Sequence, residues 1–223
     1  MRRLAQFAVI AVLGAGAAGP LSAQVLGIPY YVNPRGGLGI LAAANAGVIA
    51  SPSSSKGAAI ALTGGVGAGP LFLTASVSQF NPKGAGSNLT SYGGTAGMKL
   101  FGGGLVPVAI GVQAGVGYWK VSGGPGYTTI PVALGIGLNV PLFPIKPWIA
   151  PRIEFDRQGS YAGYSSSSTT RVGVSVGTDF NLLLGLGLHA AVDYLPKKTG
   201  STPLPSQTTL GVGVHFNFHV PMM

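Results

Sequence analysis

Long uncharged stretches of this chain alternate large apolar residues with small or polar ones at a period of two. Between positions 128 and 140 the even positions are Thr, Ile, Val or Leu, whereas the odd positions hold residues such as Ala133, Gly135 and Asn139. The same phase recurs in residues 106–118, 172–180, 184–194 and 210–218. A period of two indicates β-strands with one apolar face, since an amphipathic helix repeats every 3.6 residues.

Two of the uncharged stretches are long enough to suggest membrane-spanning helices, but their composition excludes this. Residues 121–145 contain Pro125, Pro131, Pro141 and Pro144, which no single helix tolerates. Residues 100–119 contain six glycines and one proline. Both stretches therefore favour strands over helices.

The composition decides what kind of β protein this is. Charged residues make up 8% of the chain and hydrophobic residues 47%, and 38 of the 223 residues are glycine. So few charges could not cover a soluble protein, and disorder needs low hydrophobicity. The solvated face of a soluble β-sandwich would be rich in Lys, Glu and Thr, whereas here the second face is mostly Gly, Ala and Ser. The pattern therefore predicts an all-β fold, a closed antiparallel up-and-down transmembrane β-barrel, because strands in lipid must pair every backbone group.

The alternating stretches predict ten strands, with eight as the alternative if the first hairpin is miscounted. The predicted strands are 37–49, 57–67, 70–80, 89–101, 105–120, 127–141, 146–157, 169–181, 184–195 and 207–219. Their connections alternate between tight turns and longer polar loops, as in bacterial barrels with periplasmic turns and external loops. Both ends of the barrel chain are then expected on the periplasmic side.

The first residues have the features of a secretory signal peptide. Arg2 and Arg3 precede a short apolar run, and Leu21-Ser22-Ala23 is a small-residue cleavage site. We expect export by the general secretory route with cleavage near Ala23; an uncleaved anchor is the alternative. The predicted organisation is a signal peptide at 1–23, a periplasmic N-terminal segment at 24–36, an outer-membrane barrel at 37–220 and a tail at 221–223.

The end of the last predicted strand carries a family resemblance. The pattern Gly213-x-x-Phe216-x-Phe218, together with the signal peptide and the alternation, resembles the small bacterial outer-membrane β-barrel family, the opacity-protein-like group. The closing aromatic pair is similar to the signal by which the barrel assembly machinery recognises its clients. Two positions depart from the family: Gly211 stands at the usual upstream polar position, and five residues follow Phe218. The resemblance implies fold, outer-membrane location and passage past periplasmic chaperones, more than an activity.

All four acidic residues, all three histidines and three of the basic residues fall on the inward phase, where charge does not meet lipid. They are Lys99, Arg152, Glu154, Asp156, Arg171, Asp179, His189, Asp193, His215 and His219. Strand order places Arg171 between Asp156 and Asp193, and the hairpin places Asp179 opposite His189. We predict structural ion pairs in the lumen. An Asp179–His189 acid–base pair or a histidine metal site would be the functional alternative, but no ligand spacing defines a site, so we predict no catalytic residue, metal or cofactor.

The predicted external loops are basic. Lys56, Lys83, Lys120, Arg157, Lys197 and Lys198 lie on or beside them. Phosphate groups of lipopolysaccharide are a fitting partner, with ordinary loop solubility as the alternative, and no basic helix or stacking platform predicts nucleic-acid binding. The aromatic residues Trp119, Trp148, Tyr92, Tyr118 and Tyr194 are predicted to anchor the barrel at the membrane interfaces.

The predicted function is that of a non-enzymatic outer-membrane barrel, either structural or a narrow channel for ions or small solutes. Ten strands lie near the closed end of the size range, because eight-stranded barrels are filled by side chains and porins need about sixteen strands. A surface barrel that binds or adheres through its external loops is the alternative. A barrel hydrolase ranks third.

Overall fold

The alternating stretches form the strands of one closed sheet. The structure is a computed structural model that describes residues 24–37, 39–84, 87–103, 106–139, 143–162, 165–199 and 203–218. Within these ranges the strands are β1 (Gly39–Ser51), β2 (Gly57–Ala68), β3 (Leu71–Pro82), β4 (Leu89–Gly103), β5 (Val106–Lys120), β6 (Gly126–Leu138), β7 (Ile145–Gln158), β8 (Ser167–Asn181), β9 (Leu186–Leu195) and β10 (Gln207–Phe218). Each strand pairs antiparallel with its neighbours in sequence, and β1 pairs with β10 to close the barrel.

The ten-stranded prediction is confirmed and the eight-stranded alternative is wrong. Most strand ends agree with the sequence pattern to within two residues, but β6 ends at Leu138 instead of 141. Two short 3₁₀ turns, Ser53–Ser55 and Leu183–Gly185, are the helical elements of the described ranges, and neither is long enough to span a membrane. β9 begins at Leu186, later than predicted, because Leu184 and Gly185 have left-handed backbone conformations that reverse the chain.

The two ends of the barrel differ in the length of their connections. At one end the strands are joined through 69–70, 104–105, 139–144 and 182–185, which we call the short-turn end. At the other they are joined through 52–56, 83–88, 121–125, 159–166 and 196–206, which we call the long-loop end. The alternation is the one predicted except at 139–144, which has six residues against five in 52–56 and 121–125. In bacterial barrels the longer loops are external.

The outward face of the sheet is a continuous apolar belt. In β6, for example, Val132, Leu134 and Ile136 point outward and are 38–43% exposed, while Ala133 between them is 2% exposed. Burial alternates in the same way along β1, β2, β3 and β9. Tyr92, Tyr118 and Tyr194 lie on this outward face toward the long-loop end, 43–59% exposed, as expected for an interfacial girdle.

The lumen is filled by residues 24–37, which we call the plug. Val25, Ile28, Tyr30 and Tyr31 are at most 2% exposed, although they precede the first strand. The plug enters at the long-loop end and leaves at the short-turn end, where the chain turns back into β1. The predicted periplasmic segment at 24–36 is therefore corrected: the segment lies inside the barrel, because its apolar side chains and backbone groups find buried partners there.

Inward-facing glycines make room for the plug and for aromatic rings. A Cβ placed on Gly211 would lie 2.5 Å from Pro29 Cδ of the plug, and one on Gly135 would lie 2.6 Å from Val32 Cγ1. The rings of Phe72 and Trp148 lie over the glycines directly opposite them on the next strand, Gly97 and Gly177 respectively. The glycine content of the inner wall is thus a steric requirement of a narrow, filled barrel.

The tryptophans do not belong to the membrane girdle. Trp148 is 4% exposed and lies in the lumen. Trp119 also has the inward phase and stacks on Tyr127, with ring centroids 5.6 Å apart. The sequence interpretation placed them at the interfaces because both lie near strand ends, but the odd–even phase decides their side.

Candidate functional site: the plugged lumen

The plug is held by hydrogen bonds to the walls along its whole length. At the long-loop end the Leu26 backbone NH donates to Ser91 Oγ at 2.9 Å, and Ser78 Oγ donates to the Leu26 carbonyl oxygen at 3.2 Å. Halfway down, Gln113 Nε2 donates to the Tyr31 carbonyl oxygen at 2.9 Å, while Gln113 Oε1 accepts from the Asn33 NH. These contacts satisfy backbone groups that would otherwise be buried without a partner.

Arg35 fastens the plug at the short-turn end. Its Nη1 donates to Asp179 Oδ2 at 2.7 Å, and its Nη2 donates to the Lys146 carbonyl oxygen at 2.7 Å. Asn33 shapes this end of the plug, since its Oδ1 accepts from the Arg35 NH and its Nδ2 donates to the Gly36 carbonyl oxygen. The guanidinium and the carboxylate are 13% and 4% exposed, so water screens the ion pair little.

A buried ion network occupies the half of the lumen nearer the long loops. Arg152, whose side chain is 1% exposed, pairs with Asp193 at 2.5 Å and with Glu154 at 3.1 Å. Arg171 pairs with Glu154 at 3.2 Å and with Asp156 at 3.1 Å. Opposite charges that share partners in this way offset the cost of removing each ion from water.

Asp193 connects this network to the plug. Its Oδ2 accepts from the Tyr30 backbone NH at 3.0 Å as well as from Arg152, and its Oδ1 accepts from Ser175 Oγ. The Arg152 guanidinium also lies over the Tyr30 ring, 5.7 Å from its centroid. The plug and the wall therefore share one polar network.

Two predicted pairings are corrected by the structure. Arg171 pairs with Asp156 and Glu154 and not with Asp193. Asp193 pairs instead with Arg152, because the side chains of Arg152 on β7 and Asp193 on β9 face each other across β8. Asp179 does stand opposite His189 in the β8–β9 register, but their side chains have other partners. Asp179 binds Arg35.

His189 belongs to a separate polar cluster. Its Nε2 lies 2.6 Å from Asn45 Oδ1 and its Nδ1 lies 3.1 Å from His215 Nδ1. Because an amide oxygen only accepts, His189 donates from Nε2, and His215 then donates to the free Nδ1 of a neutral His189. The edge of Tyr31 packs against the His189 ring at a centroid distance of 4.6 Å. Both ring nitrogens of His189 are thus hydrogen-bonded, whereas His215 is bonded through Nδ1 and its buried Nε2 has no hydrogen-bond partner among the described residues.

The remaining predicted residues are spread over both ends. Lys99 lies on the inward phase beside Gly36 at the short-turn end. The basic residues Lys56, Lys83, Lys120, Arg157, Lys197 and Lys198 all lie at the long-loop end, and all but half-buried Lys198 are exposed. Phe216 and Phe218 point outward from β10, and Gly213 faces the lumen. His219, the predicted tail 221–223 and the predicted signal peptide 1–23 lie outside the described residues. Among the described residues, no group of three or more His, Cys, Asp or Glu side chains could hold a metal ion.

Sequence reasoning missed the plug and its polar partners. Arg35, Tyr30, Asn45 and Gln113 take part in the site, and only the last lies in a stretch whose phase was read from the sequence. A signal was present: residues 25–33 are uncharged, contain two adjacent tyrosines and immediately precede the first strand. An apolar segment of this kind needs a buried surface to pack against, and the lumen of a glycine-rich barrel supplies one.

The closed sheet, the apolar belt and the polar, filled lumen define an integral β-barrel of the bacterial outer-membrane type. At the level of the fold, this confirms the resemblance to small outer-membrane barrels. No protein-family model and no curated protein matches the chain.

Among solved structures, the chain is similar to several outer-membrane barrels at low identity. Neisserial surface protein A is 17% identical, with 80% of this chain and 97% of that chain covered at a TM-score of 0.42. The β domain of the Bordetella autotransporter BrkA is 15% identical, with 80% and 98% covered at a TM-score of 0.46. The translocator domain of autotransporter NalP from Neisseria meningitidis is 13% identical, with 82% and 90% covered at a TM-score of 0.38. The assignment to the class of outer-membrane barrels therefore rests on the closed sheet and its apolar belt, and not on these similarities.

Proposed function

We propose that this protein is a non-enzymatic outer-membrane barrel that forms a narrow channel for ions or small polar solutes, closed by its own plug. The observation that carries the proposal is the way the lumen is filled. Small barrels that are permanently closed are filled by side chains of the wall. Here the inner wall is lined largely by Gly, Ala, Ser and Thr, and a separate segment joined to β1 at one end fills the space.

The contacts of the plug support reversible closure. Several are hydrogen bonds to wall side chains such as Ser91, Gln113 and Asp193, which water can replace when the plug leaves. The Arg35–Asp179 pair is the one salt bridge between plug and wall among the described residues. Breaking it removes the ion pair that holds the plug at the short-turn end.

The inward-facing charges of the strands balance. The carboxylates are Glu154, Asp156, Asp179 and Asp193, and the basic side chains on the inward phase are Lys99, Lys146, Arg152 and Arg171. When Arg35 leaves with the plug, Asp179 still has Lys146 opposite it in the β7–β8 register. A wall with equal numbers of both signs predicts an open channel with little preference between cations and anions.

A disulfide lock tests the channel directly. The chain has no cysteine, and a Cβ on Gly135 lies 2.6 Å from Val32 Cγ1, so the pair Val32→Cys and Gly135→Cys is within reach of a disulfide. We expect discrete openings in planar bilayers from the wild type and the reduced double variant, loss of openings on oxidation and recovery with dithiothreitol. The two single-cysteine variants are the matched controls.

Two outcomes would contradict the channel proposal. The first is that neither the wild type nor a variant lacking residues 24–35 gives openings in planar bilayers, although heat-modifiable gel migration shows that the barrel is intact. The protein would then be a structural barrel and not a channel. Openings that persist unchanged in the oxidised double variant would show that conduction does not involve the plug.

The partners of Asp179 and His189 support a non-enzymatic role. In an Asp–His acid–base pair the carboxylate would orient the imidazole through a hydrogen bond, but Asp179 is bound to Arg35, and His189 to Asn45 and His215. A hydrolase would predict that Asp179→Asn abolishes turnover of peptide or ester substrates while the barrel stays folded. We expect no turnover by the wild-type protein. We expect Asp179→Asn to weaken the attachment of the plug instead.

We also propose that the basic long-loop end binds phosphates of lipopolysaccharide in the outer leaflet. Lys56, Lys83, Lys120, Arg157 and Lys197 are exposed there. Lipopolysaccharide added to micelles should raise the unfolding temperature, and dephosphorylated lipopolysaccharide should not. Replacing these five residues by Gln should remove the effect, whereas Lys99→Gln with Lys146→Gln, at the opposite end, should keep it.

During biogenesis, periplasmic chaperones and the barrel assembly machinery are the expected partners, the latter through Gly213, Phe216 and Phe218.

A further inference from the structure

A cavity of about 560 Å³ opens between the long loops, above the plug, and we call it the vestibule. Its volume falls in the range of small-molecule pockets, which often lie at the mouths of β-barrels. Its floor is the first turn of the plug, where the Ile28 NH donates to the Val25 carbonyl oxygen and both side chains are at most 2% exposed. While the plug is in place, the vestibule is thus a cup that is closed at the bottom.

One wall of the vestibule carries two rows of inward-facing side chains in strand register. The upper row crosses β5 to β8 as Trp119, Tyr127, Gln158 and Ser167. The lower row crosses β6 to β8 as Thr129, Asp156 and Thr169. Gln207 lines the vestibule from β10. The wall therefore presents an aromatic surface beside amide, hydroxyl and carboxylate groups.

The aromatic part of the wall is a preformed surface. The rings of Trp119 and Tyr127 are nearly parallel, 10° apart, with centroids separated by 5.6 Å. Both side chains face inward and are only half-buried, which is unusual for large rings that could have pointed into lipid. A stacked pair of this kind offers a flat apolar face with little loss of side-chain freedom on binding.

The fixed charges of the vestibule cancel. Its charged lining residues are Glu154, Asp156, Arg157 and Arg171, two of each sign. Asp156 accepts from Thr129 Oγ1 at 2.7 Å and from Arg171, but its side chain is still 26% exposed, against 3% for Glu154. Its carboxylate therefore keeps accepting capacity toward the cavity, and the site favours an uncharged ligand with several hydroxyl donors.

We infer that the vestibule binds a neutral saccharide of one or two sugar units. The Trp119–Tyr127 face packs against the apolar C–H face of a sugar ring, and Asp156 accepts hydrogen bonds from the sugar hydroxyls. The amides of Gln158 and Gln207 donate and accept hydrogen bonds at the edges of the ring. The inference goes beyond the proposed channel and does not depend on it, because the floor of the vestibule is the plug in its closed position.

Tryptophan fluorescence tests the site with a built-in reporter. The chain has two tryptophans, so Trp148→Phe leaves Trp119 as the only one. The full chain is kept in lauryldimethylamine oxide micelles, a detergent without a sugar headgroup, and titrated with glucose, maltose, lactose and N-acetylglucosamine. Inorganic phosphate and glycine serve as anionic and zwitterionic probes. We expect a saturable change in Trp119 emission with at least one of the sugars and none with phosphate or glycine.

Matched variants connect the response to the wall. In the Trp148→Phe background, Asp156→Asn should weaken saccharide binding about tenfold or more, as expected when a charged hydrogen-bond acceptor is lost. Tyr194→Phe, on the lipid-facing side, should leave binding unchanged. Heat-modifiable migration on gels establishes that each variant is folded, and Gln158→Ala replaces Asp156→Asn if that variant does not fold.

The inference is overturned if no sugar gives a saturable response, if phosphate or glycine alone gives one, or if Asp156→Asn and Gln158→Ala both bind as the wild type does. The oxidised Val32→Cys/Gly135→Cys protein should still bind the saccharide. If the locked protein binds the saccharide while the wild type and the variant lacking residues 24–35 are both silent in planar bilayers, the vestibule site is retained and the channel is rejected, so the two proposals fail separately.

Discussion

Arg35 and Asp179, 144 positions apart in sequence, form an ion pair of 2.7 Å that ties the plug to β8. Asp179 is 3% exposed and comes from the inward phase of its strand. Arg35 comes from a segment with no strand pattern at all. The pair shows that the inner wall and the plug are complementary in charge, and that each leaves a buried ion if the other is absent.

Replacing Arg35 by alanine should loosen the plug. Loss of one partner of a buried ion pair costs about 3–5 kcal/mol when the other stays buried; here the effect is expected to be smaller, because a released plug lets water reach Asp179. We predict more frequent openings in planar bilayers and faster proteolysis near the plug. Arg157→Ala, at the exposed rim, is the control. The additional change Asp179→Asn should recover part of the lost stability, and equal opening frequencies for Arg35→Ala and wild type would contradict the role of this pair.

The ion network around Arg152 should be essential for folding. Its guanidinium neutralises both Asp193 and Glu154 at 1% exposure. Arg152→Met keeps much of the side-chain volume but leaves two buried carboxylates short of a cation, at a cost of about 3–5 kcal/mol. Urea unfolding in lipid vesicles measures the loss. Arg157→Met, an exposed position five residues along the same strand, should change the free energy of unfolding by about 0.5 kcal/mol or less.

The barrel could be predicted from the sequence because lipid exposure imposes one rule on every strand. Within the membrane, outward positions are mainly apolar and ionisable residues face inward, with exceptions such as Arg157 at the rim, so the phase read from residues such as Leu134 and Gly135 fixes the side on which Asp179 or His189 lies. Register across a tight turn then follows by counting, which is why the Asp179–His189 pairing of the backbones agrees with the structure.

The partners of the inward side chains could not be predicted in the same way. Counting along strands gives neighbours within the wall, whereas Arg35, Tyr30 and Asn33 reach the wall from a segment without periodicity. The tryptophans are a different case, because the odd–even phase places Trp119 and Trp148 inward and only their nearness to strand ends suggested the interfaces. The room for the Trp148 ring, which lies over Gly177, comes from the lumen packing. Packing inside a filled barrel depends on volumes that strand periodicity does not record.

The apolar belt predicts a strong asymmetry between charged and apolar substitutions at the same outward position. Val132 points outward from the middle of β6 and is 38% exposed. Val132→Arg should cost about 2–4 kcal/mol, the penalty for a cationic side chain at the bilayer midplane. Val132→Leu should change stability by less than about 1 kcal/mol. Urea unfolding in vesicles would measure both, and an arginine tolerated at this position would contradict the assignment of this face to lipid.

The pairing of Phe72 with Gly97 predicts that a glycine of the inner wall cannot be enlarged. The Phe72 ring is 2% exposed and lies against the position that a Cβ on Gly97 would occupy. Gly97→Val should therefore destabilise the barrel by about 1–3 kcal/mol through overpacking, and the additional change Phe72→Ala should make the valine better tolerated. The matched control is Gly64→Val, because Gly64 faces outward on β2 and a Cβ there has nothing within 4 Å. Valine favours strands, so we expect Gly64→Val to be neutral or stabilising. Equal losses at both glycines, measured by heat-modifiable gel migration and urea unfolding, would mean that glycine is needed for the backbone of these strands and not for the rings beside them.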